Sequence, residues 1–442
     1  MSNDNIEKTE NNKLLRKYIF IVILLASILW CTIPLFIGYT SMFNNVSACL
    51  SIYLSILACY LYRNNIGLFL MMFFIAYTNY SIAIGVYLFP KIRPDFLYYQ
   101  FTEMEIYGKA IIGTIIFESF FLLLSTKMTE LNFENNRLNN NKLFIANNPF
   151  ISYLCIIIYI FIFCFYFRFS DTGGRASNNP LLEYRNIFFI VSFCFGGNRK
   201  NIKNYWIIII FLTSLMTLIG GNRADIFASA TLLVFFYFSN KINYKIILVM
   251  LVPAILVFAT VGFMRGGITL DGLVEGAKKL WDSKLTFEGA IYAYIPSLSM
   301  IKISESLSNF ERIDLLKKHL IYIFTLGRSS GNKPDLSIFS RLYFFHYWGY
   351  ISPTYFYIWI KSFSGIFFAL IVKIYCNLEK NIFIKNKTVL NKLGVIVFYF
   401  FVSSYARWYS YGPLGLFRGV FVCVIIAYFF IILDVVMKKV KS

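Results

Sequence analysis

Eleven or twelve long apolar runs cross this chain of 442 residues, and one long polar segment, roughly residues 265–350, interrupts them. An apolar run of about 20 residues spans the hydrocarbon core of a bilayer as a helix. Lipid offers the backbone no hydrogen-bonding partners, so a spanning segment must satisfy its own N–H and C=O groups. The runs therefore predict an all-α, polytopic integral membrane protein. The predicted spans are 18–38, 46–62, 66–89, 107–125, 150–168, 183–197, 204–220, 224–239, 244–263, 351–376, 389–408 and 413–434. The run 183–197 is short, and the pair flanking Gly220-Gly221 also reads as one broken re-entrant element. Composition agrees: 58% of residues are hydrophobic and 14% charged, so most of the surface must face lipid. The run 18–38 is longer than the apolar core of a secretory signal and lacks a small-residue cleavage site, so it reads as a retained anchor.

Lysine and arginine in short loops give the orientation. The N-terminus carries Lys8, Lys13, Arg16 and Lys17, and the tail Lys438, Lys439 and Lys441. Alternate loops carry Arg63; Lys127, Arg137 and Lys142; Arg199, Lys200 and Lys203; Lys241 and Lys245; then Lys373, Lys380, Lys385, Lys387 and Lys392. With twelve spans all of these fall on one side, which assigns that side and both termini to the cytoplasm. The net charge of +20 is then mostly a topology signal. Scattered over many loops, it does not make the single basic face that a nucleic acid needs.

The chain reads as one membrane domain, residues 1–442, with the single insertion 265–350 on the outer side. None of the eight cysteines lies in that insertion, so neither a disulfide framework nor a cysteine-rich metal site is expected there. Residues 271–283 and 311–325 have apolar positions at helical spacing and read as amphipathic helices on the membrane surface or capping the bundle. Pro296, Gly327, Gly331, Pro334 and Gly349 read as turn signals between and after them. The Asn-rich stretch Asn132–Asn148 reads as a mobile cytoplasmic linker.

Cytoplasmic segments use mostly lysine, whereas the outer side holds eleven of the fifteen arginines: Arg93, Arg168, Arg175, Arg185, Arg223, Arg265, Arg312, Arg328, Arg341, Arg407 and Arg418. Guanidinium offers a planar fork that matches phosphate oxygens in bidentate fashion. A single such arginine is ordinarily explained by snorkelling, or by pairing with Asp225, Asp271, Glu275 or Glu288. The set points instead to a phosphate or diphosphate ligand at the outer leaflet. Arg223 follows Gly220-Gly221-Asn222, and Arg265 precedes Gly266-Gly267, where a tight turn can expose amide donors near an anion. Arg407 and Arg418 flank the Gly412-Pro413 break, which can bring them to one cavity from adjacent helices. An arginine inside a span costs about 2.5–3.5 kcal/mol on insertion scales, so it needs a partner or a wet cavity.

The chain has two histidines. His346, in Phe344-Phe345-His346-Tyr347-Trp348-Gly349, sits where the insertion returns to the bilayer. Neutral imidazole can take a hydroxyl proton near pH 7, so His346 is a candidate general base. The alternative is a structural histidine in an interfacial aromatic belt. His319, in the amphipathic stretch, reads as incidental. Glu118 lies in mid-span, where a helix-packing hydrogen bond is the preferred reading over a proton-coupling site. No P-loop, HExxH or GxSxG motif appears, and no metal-ligand cluster.

The segment Gly220-Gly221-Asn222-Arg223-Ala224-Asp225 between two spans resembles the "GG-x-R-A" segment of the O-antigen polymerase family (Wzy-type oligosaccharide repeat unit polymerases). Leu326-Gly327-Arg328, then His346-Tyr347-Trp348-Gly349-Tyr350-Ile351-Ser352-Pro353 and Gly365, are similar to that family's loop-to-helix region. Ala406-Arg407 followed by Arg418 resembles its last outer arginines. Arg265 and Gly276 have the Arg-x10-Gly spacing common in its outer loops, once. The resemblance covers the C-terminal half. It implies about twelve transmembrane helices, one large periplasmic loop and a GT-C-like, metal-independent membrane glycosyltransferase without a cofactor, in the bacterial inner membrane. Such an enzyme takes a glycan on undecaprenyl diphosphate and transfers it to a sugar hydroxyl of a new lipid-linked repeat unit. Its expected partners are that lipid-linked oligosaccharide, membrane lipid, a chain-length regulator and a flippase, with no nucleic acid. Arginines can stabilise the diphosphate leaving group as a metal would elsewhere. The expected site is His346 as base, with Arg223, Arg265, Arg328, Arg341, Arg407 and Arg418 on diphosphate and glycan. The competing readings are a lipid-linked oligosaccharide flippase or other transporter, an O-antigen ligase, and a membrane acyltransferase.

Overall fold

The computed structural model describes residues 18, 20–90, 103–125, 144–167, 180–196, 199–219, 223–238, 244–250, 253, 270–324, 350–384 and 387–441. Every regular element among them is helical. In chain order these are α1 (Phe20–Ile37), α2 (Ser41–Leu61), α3 (Ile66–Leu88), α4 (Met104–Ser125), α5 (Pro149–Tyr166), α6 (Pro180–Gly196), α7 (Lys200–Ile219), α8 (Arg223–Leu233), α9 (Leu270–Asp282), α10 (Glu288–Ser306), α11 (Asn309–Phe324), α12 (Ser364–Asn377), α13 (Val389–Ser403), α14 (Tyr405–Tyr411) and α15 (Leu414–Lys441). Polar side chains close several helix starts. Thr40, Asn65 and Thr388 each accept an amide hydrogen of the first turn. Ser308 and Glu311 form a reciprocal capping box at the start of α11.

The protein is a polytopic, all-α membrane protein. Seven helical segments among the described residues are long and apolar enough to cross a bilayer: α1 to α5, the segment Tyr357–Phe383 built around α12, and α15. The pair α13 and α14, bent by 61°, makes an eighth if counted as one span. The predicted runs 183–197 and 224–239 are present as the shorter apolar helices Tyr184–Gly196 and Ile226–Phe238. Described side chains of α6 such as Ile187, Phe189 and Ile190 are fully enclosed, so protein and not lipid surrounds this helix. A helix in that position need not match the bilayer thickness. Most of the predicted run 244–263 lies outside the described residues.

Surface and interior are reversed relative to a water-soluble bundle. Large apolar side chains such as Leu29, Ile56, Ile157, Phe211, Phe429 and Val436 are exposed, while Ser47, Ser51, Ser55, Thr78, Asn79, Ser119, Ser152 and Ser192 are buried. Lipid makes apolar exposure harmless, and small hydroxyl residues let helices approach and bond across the interface.

Hydrogen bonds between helices define two ends. At one, Asn44 donates to the Met104 carbonyl (3.0 Å) and the Tyr87 hydroxyl to the Tyr107 carbonyl (2.8 Å). At the other, Tyr62 donates to Ser125 (2.8 Å) and Asn148 to Asp434 (3.0 Å). The latter contact corrects one expectation. The last residues of the Asn-rich stretch, 144–148, are docked, with the Ile145 and Asn148 amides bonded to the carbonyls of Cys194 and Phe195. Residues 126–143 lie outside the described residues.

The description of 265–350 as a segment outside the bundle also changes. α9 and α11 match the two expected amphipathic helices, but α10 between them is a core helix. It packs against α3, α4 and α14, and Ala290, Ile291, Ala293, Tyr294, Leu298 and Ile301 are buried around its circumference. Pro296 is therefore a residue inside a helix and not a turn. The proline removes one backbone N–H, and packing on all sides outweighs that loss. The turn from α9 into α10 reaches far along α3: the hydroxyls of Tyr77 and Tyr80 donate to the carbonyls of Leu285 (2.9 Å) and Lys284 (2.8 Å).

Candidate functional site

The end of the bundle that holds α10 and α11 also holds the two described candidate arginines. α13 stops where Ser404 turns its hydroxyl back onto the Phe400 carbonyl (2.8 Å), and α14 leaves at the 61° bend. Gly412 then takes φ +94°, which favours glycine, and Pro413 leads into α15. Ser352 fastens this corner by donating to the Trp408 carbonyl, and Thr231 of α8 shares a hydrogen bond with Tyr405 (3.0 Å). Arg407 lies half-buried on α14, and Arg418 lies buried one turn into α15. The two arginines thus stand on neighbouring helices across a tight turn, as the Gly412-Pro413 break suggested.

Arg418 joins three distant parts of the chain. Its Nε donates to the Tyr184 hydroxyl of α6 (2.6 Å) and its Nη1 to the Tyr322 hydroxyl of α11 (2.5 Å). The guanidinium carbon is 5.8 Å and 5.0 Å from the centres of those rings. Aromatic faces and phenol oxygens help to make a buried cation tolerable there. Sequence reasoning missed both tyrosines, because nothing local marks them as partners of Arg418.

Arg223 opens α8, and that helix packs on α14, so its backbone lies beside the helix that carries Arg407. His346, Arg265, Arg328 and Arg341 lie outside the described residues, as do Arg93, Arg168 and Arg175. Two other arginines of the predicted outer set have local explanations. Arg185 is 2% exposed and lies over the rings of Tyr159 (5.7 Å) and Phe163 (5.1 Å). Arg312 Nη2 (2.8 Å) and Lys361 Nζ (3.0 Å) both donate to the Ser304 carbonyl and so close the C-terminus of α10. Lysines pair with acids at several places: Lys109 with Glu105 and Glu305, Lys302 with Glu103, Lys279 with Glu275, Lys318 with Asp314 and Lys438 with Asp434. Glu275 is therefore a lysine's partner and not an arginine's.

His319 is more than incidental. Its Nδ1 faces the Leu315 carbonyl (2.7 Å), which can only accept, so Nδ1 carries the proton and Nε2 accepts from the Tyr355 hydroxyl (2.5 Å). The ring also meets Trp359 edge to face at 5.1 Å. His319 thereby fixes α11 to the segment that leads into α12. Burial pushes its pKa down from 6.5 to about 4, against a smaller opposing effect of the Leu315 carbonyl. The folded protein therefore favours the neutral ring. That contribution is complete above pH 6.5 and is lost as the pH falls towards about 4; it is worth at most ~3 kcal/mol. Protection factors along α11, with the intrinsic pH dependence of amide exchange divided out, should fall as pH drops from 6.5 towards 4, and the fall should be absent in a His319→Asn variant. Equal pH profiles for both proteins would refute the latch.

Glu118 is buried in a polar cluster at mid-span. It accepts from Ser55 and from Asn79 Nδ2 (2.7 Å), and the Tyr409 hydroxyl donates to Asn79 Oδ1 (3.0 Å). Three helices, α2, α3 and α4, and the α14 corner are tied by one side-chain network. This is the helix-packing role. Glu118→Gln keeps an acceptor and should leave folding and function within about twofold of wild type. Glu118→Leu strands buried donors and should cost ~1–3 kcal/mol. Abolished function in a well-folded Gln variant would instead mark a proton-coupling acid.

Among the described residues no group of three His, Cys, Asp or Glu side chains could hold a metal ion. Comparison of the chain with models of known protein families, with curated proteins and with solved structures finds no match.

Proposed function

We propose that this membrane protein is an O-antigen or related surface polysaccharide polymerase, a GT-C-like glycosyltransferase with about twelve spans. It would join undecaprenyl-diphosphate-linked repeat units at the periplasmic face of the bacterial inner membrane. The observation that carries the proposal is Arg418, enclosed by Tyr184 and Tyr322 at the end of the bundle where α10 and α11 pack, with Arg407 across the turn. An intramembrane cation set between phenol rings at the end of the bundle is placed to meet an anionic ligand. In this reading Arg407 and Arg418 hold the diphosphate, and Arg223, Arg265, Arg328 and Arg341 complete the contacts with diphosphate and glycan. Fixed guanidiniums are suited to the charge that develops on the leaving diphosphate, because they need no reorganisation during reaction. His346 takes the proton from the acceptor hydroxyl as that oxygen attacks the anomeric carbon.

Deletion followed by electrophoresis of surface lipopolysaccharide tests the class. Core carrying one repeat unit means a polymerase; core without any repeat means a ligase or flippase. His346→Ala and Arg223→Ala should leave the protein inserted at normal level but collapse long chains to single repeats. A wild-type ladder from either variant would remove that residue from the mechanism.

A further inference from the structure

The turn between α9 and α10 lies at a depth where lipid should exclude it. Tyr77 and Tyr80, which bind the Leu285 and Lys284 carbonyls, sit half-way along the crossing helix Ile66–Leu88, and the Phe287 amide donates to Ser81 (2.9 Å) of the same helix. Asn79, between those tyrosines, belongs to the Glu118 network, which joins the middle parts of α3 and α4. At 1.5 Å per residue Tyr77 lies about 16 Å from either end of α3, and Tyr80 and Ser81 about 10–12 Å from its Leu88 end, so the turn sits well inside the bilayer.

The groups displayed there are not those of a lipid-facing surface. Trp281, Asp282, Lys284 and, one turn earlier on α9, Lys278 and Lys279 are all exposed. Lys284 and Leu285 both have positive φ, 56° and 59°, so two non-glycine residues hold a strained turn that bends the chain back. Non-helical backbone at membrane depth is tolerated only where protein buries it or water reaches it. Exposed ionised side chains at the bilayer centre require the same. Exposure excludes burial in protein, which leaves water.

We infer that the α9–α10 turn lines a water-filled crevice, open at the α10–α11 end of the bundle and reaching half-way along α3, that admits the sugar-bearing part of a membrane-anchored glycolipid. Exposed Trp281 and the half-buried ring of Tyr80, stacked on Tyr77 (6.4 Å), supply aromatic faces for sugar rings, and Asp282 and Lys284 supply hydrogen-bonding groups. The ligand class rests on the polymerase reading; the crevice itself does not.

Spin labels in a cysteine-free background, with the protein in bilayers, test both parts. Labels at positions 282 and 284 should collide with a water-soluble nickel chelate at least tenfold more often than a label at Ile157, which is exposed at the middle of α5. Dissolved oxygen should favour the Ile157 label. Lipid-like behaviour at 282 and 284, or water-like behaviour at all three, would overturn the crevice. In native membranes, the nickel collision rate at position 284 should fall severalfold when the cells make lipid-linked repeat units, relative to cells lacking the first sugar transfer to the lipid carrier. An unchanged rate beside a wet label would overturn the ligand class and leave the crevice standing. The lipopolysaccharide ladder independently reports whether the polymerase reading fails.

Discussion

Gly365→Val should leave little folded protein. A Cβ at position 365 would stand 2.4 Å from the Gly113 carbonyl oxygen and 2.9 Å from the Phe117 amide nitrogen. Both are backbone atoms of α4, so no side-chain rotation relieves the clash, and α12 must move away from α4. Beside that crossing, Phe117 packs on Phe368 (5.2 Å), and the Ser364 hydroxyl joins the Pro353 carbonyl (2.6 Å). Separating the helices opens the Phe117–Phe368 contact. Overpacking a core costs ~1–3 kcal/mol per site, and a backbone-to-backbone contact belongs at the top of that range or above. The expected result is a strong loss of monodisperse protein on extraction and a large fall in thermal stability, with Gly365→Ala only partly milder. A Val variant as stable as wild type would show that the two helices do not cross this closely. The sequence placed Gly365 in a stretch resembling a glycosyltransferase family. The structure gives the residue a packing reason that holds whatever the protein does.

On the proposed polymerase reading, Arg418→Ala should remove polymer formation with the protein still inserted. The substitution deletes a buried cation and leaves the Tyr184 and Tyr322 hydroxyls without their shared partner. Loss of one fixed donor to a developing anion typically costs ~10²–10³ in rate. Arg418→Lys should rescue little, because one ammonium cannot reach two phenols and a phosphate in the geometry of a planar fork. Tyr322→Phe keeps the ring and loses one hydrogen bond, so it should shorten chains by a modest factor and not abolish them. The readout is the ladder of surface polysaccharide, normalised to protein in the membrane. Full-length ladders from Arg418→Ala would detach this arginine from the chemistry and leave it a structural cation.

Local hydropathy made much of the architecture legible. The runs that became α1 to α5, α12 and α15 appear in the sequence because spanning lipid requires an unbroken apolar stretch. The amphipathic spacing of 271–283 and 311–325 was equally local and gave α9 and α11. α10 was not legible. Its sequence, Glu288–Ser306, carries serines, a lysine and Pro296, and only the surrounding helices make it a core element. The candidate site divides in the same way. Arg407 and Arg418 stood out because charge inside an apolar run is costly, whereas Tyr184 and Tyr322 lie 234 and 96 residues from Arg418 and are ordinary tyrosines until the chain folds. His319 seemed incidental for the same reason: its partner Tyr355 is 36 residues away.

The sequence by itself determined that this chain lives in a bilayer as helices and where its apolar runs lie. These properties add up residue by residue along a segment, because transfer into lipid depends on each side chain's own chemistry. Tertiary structure alone decided that α10 is buried, that Arg418 rests between two phenols, that His319 holds α11 to the lead-in of α12, and that a charged turn reaches the middle of α3. Each of those depends on which groups meet across long sequence separations. Hydrogen bonds and burial belong to pairs and enclosures, and no local pattern encodes the partner.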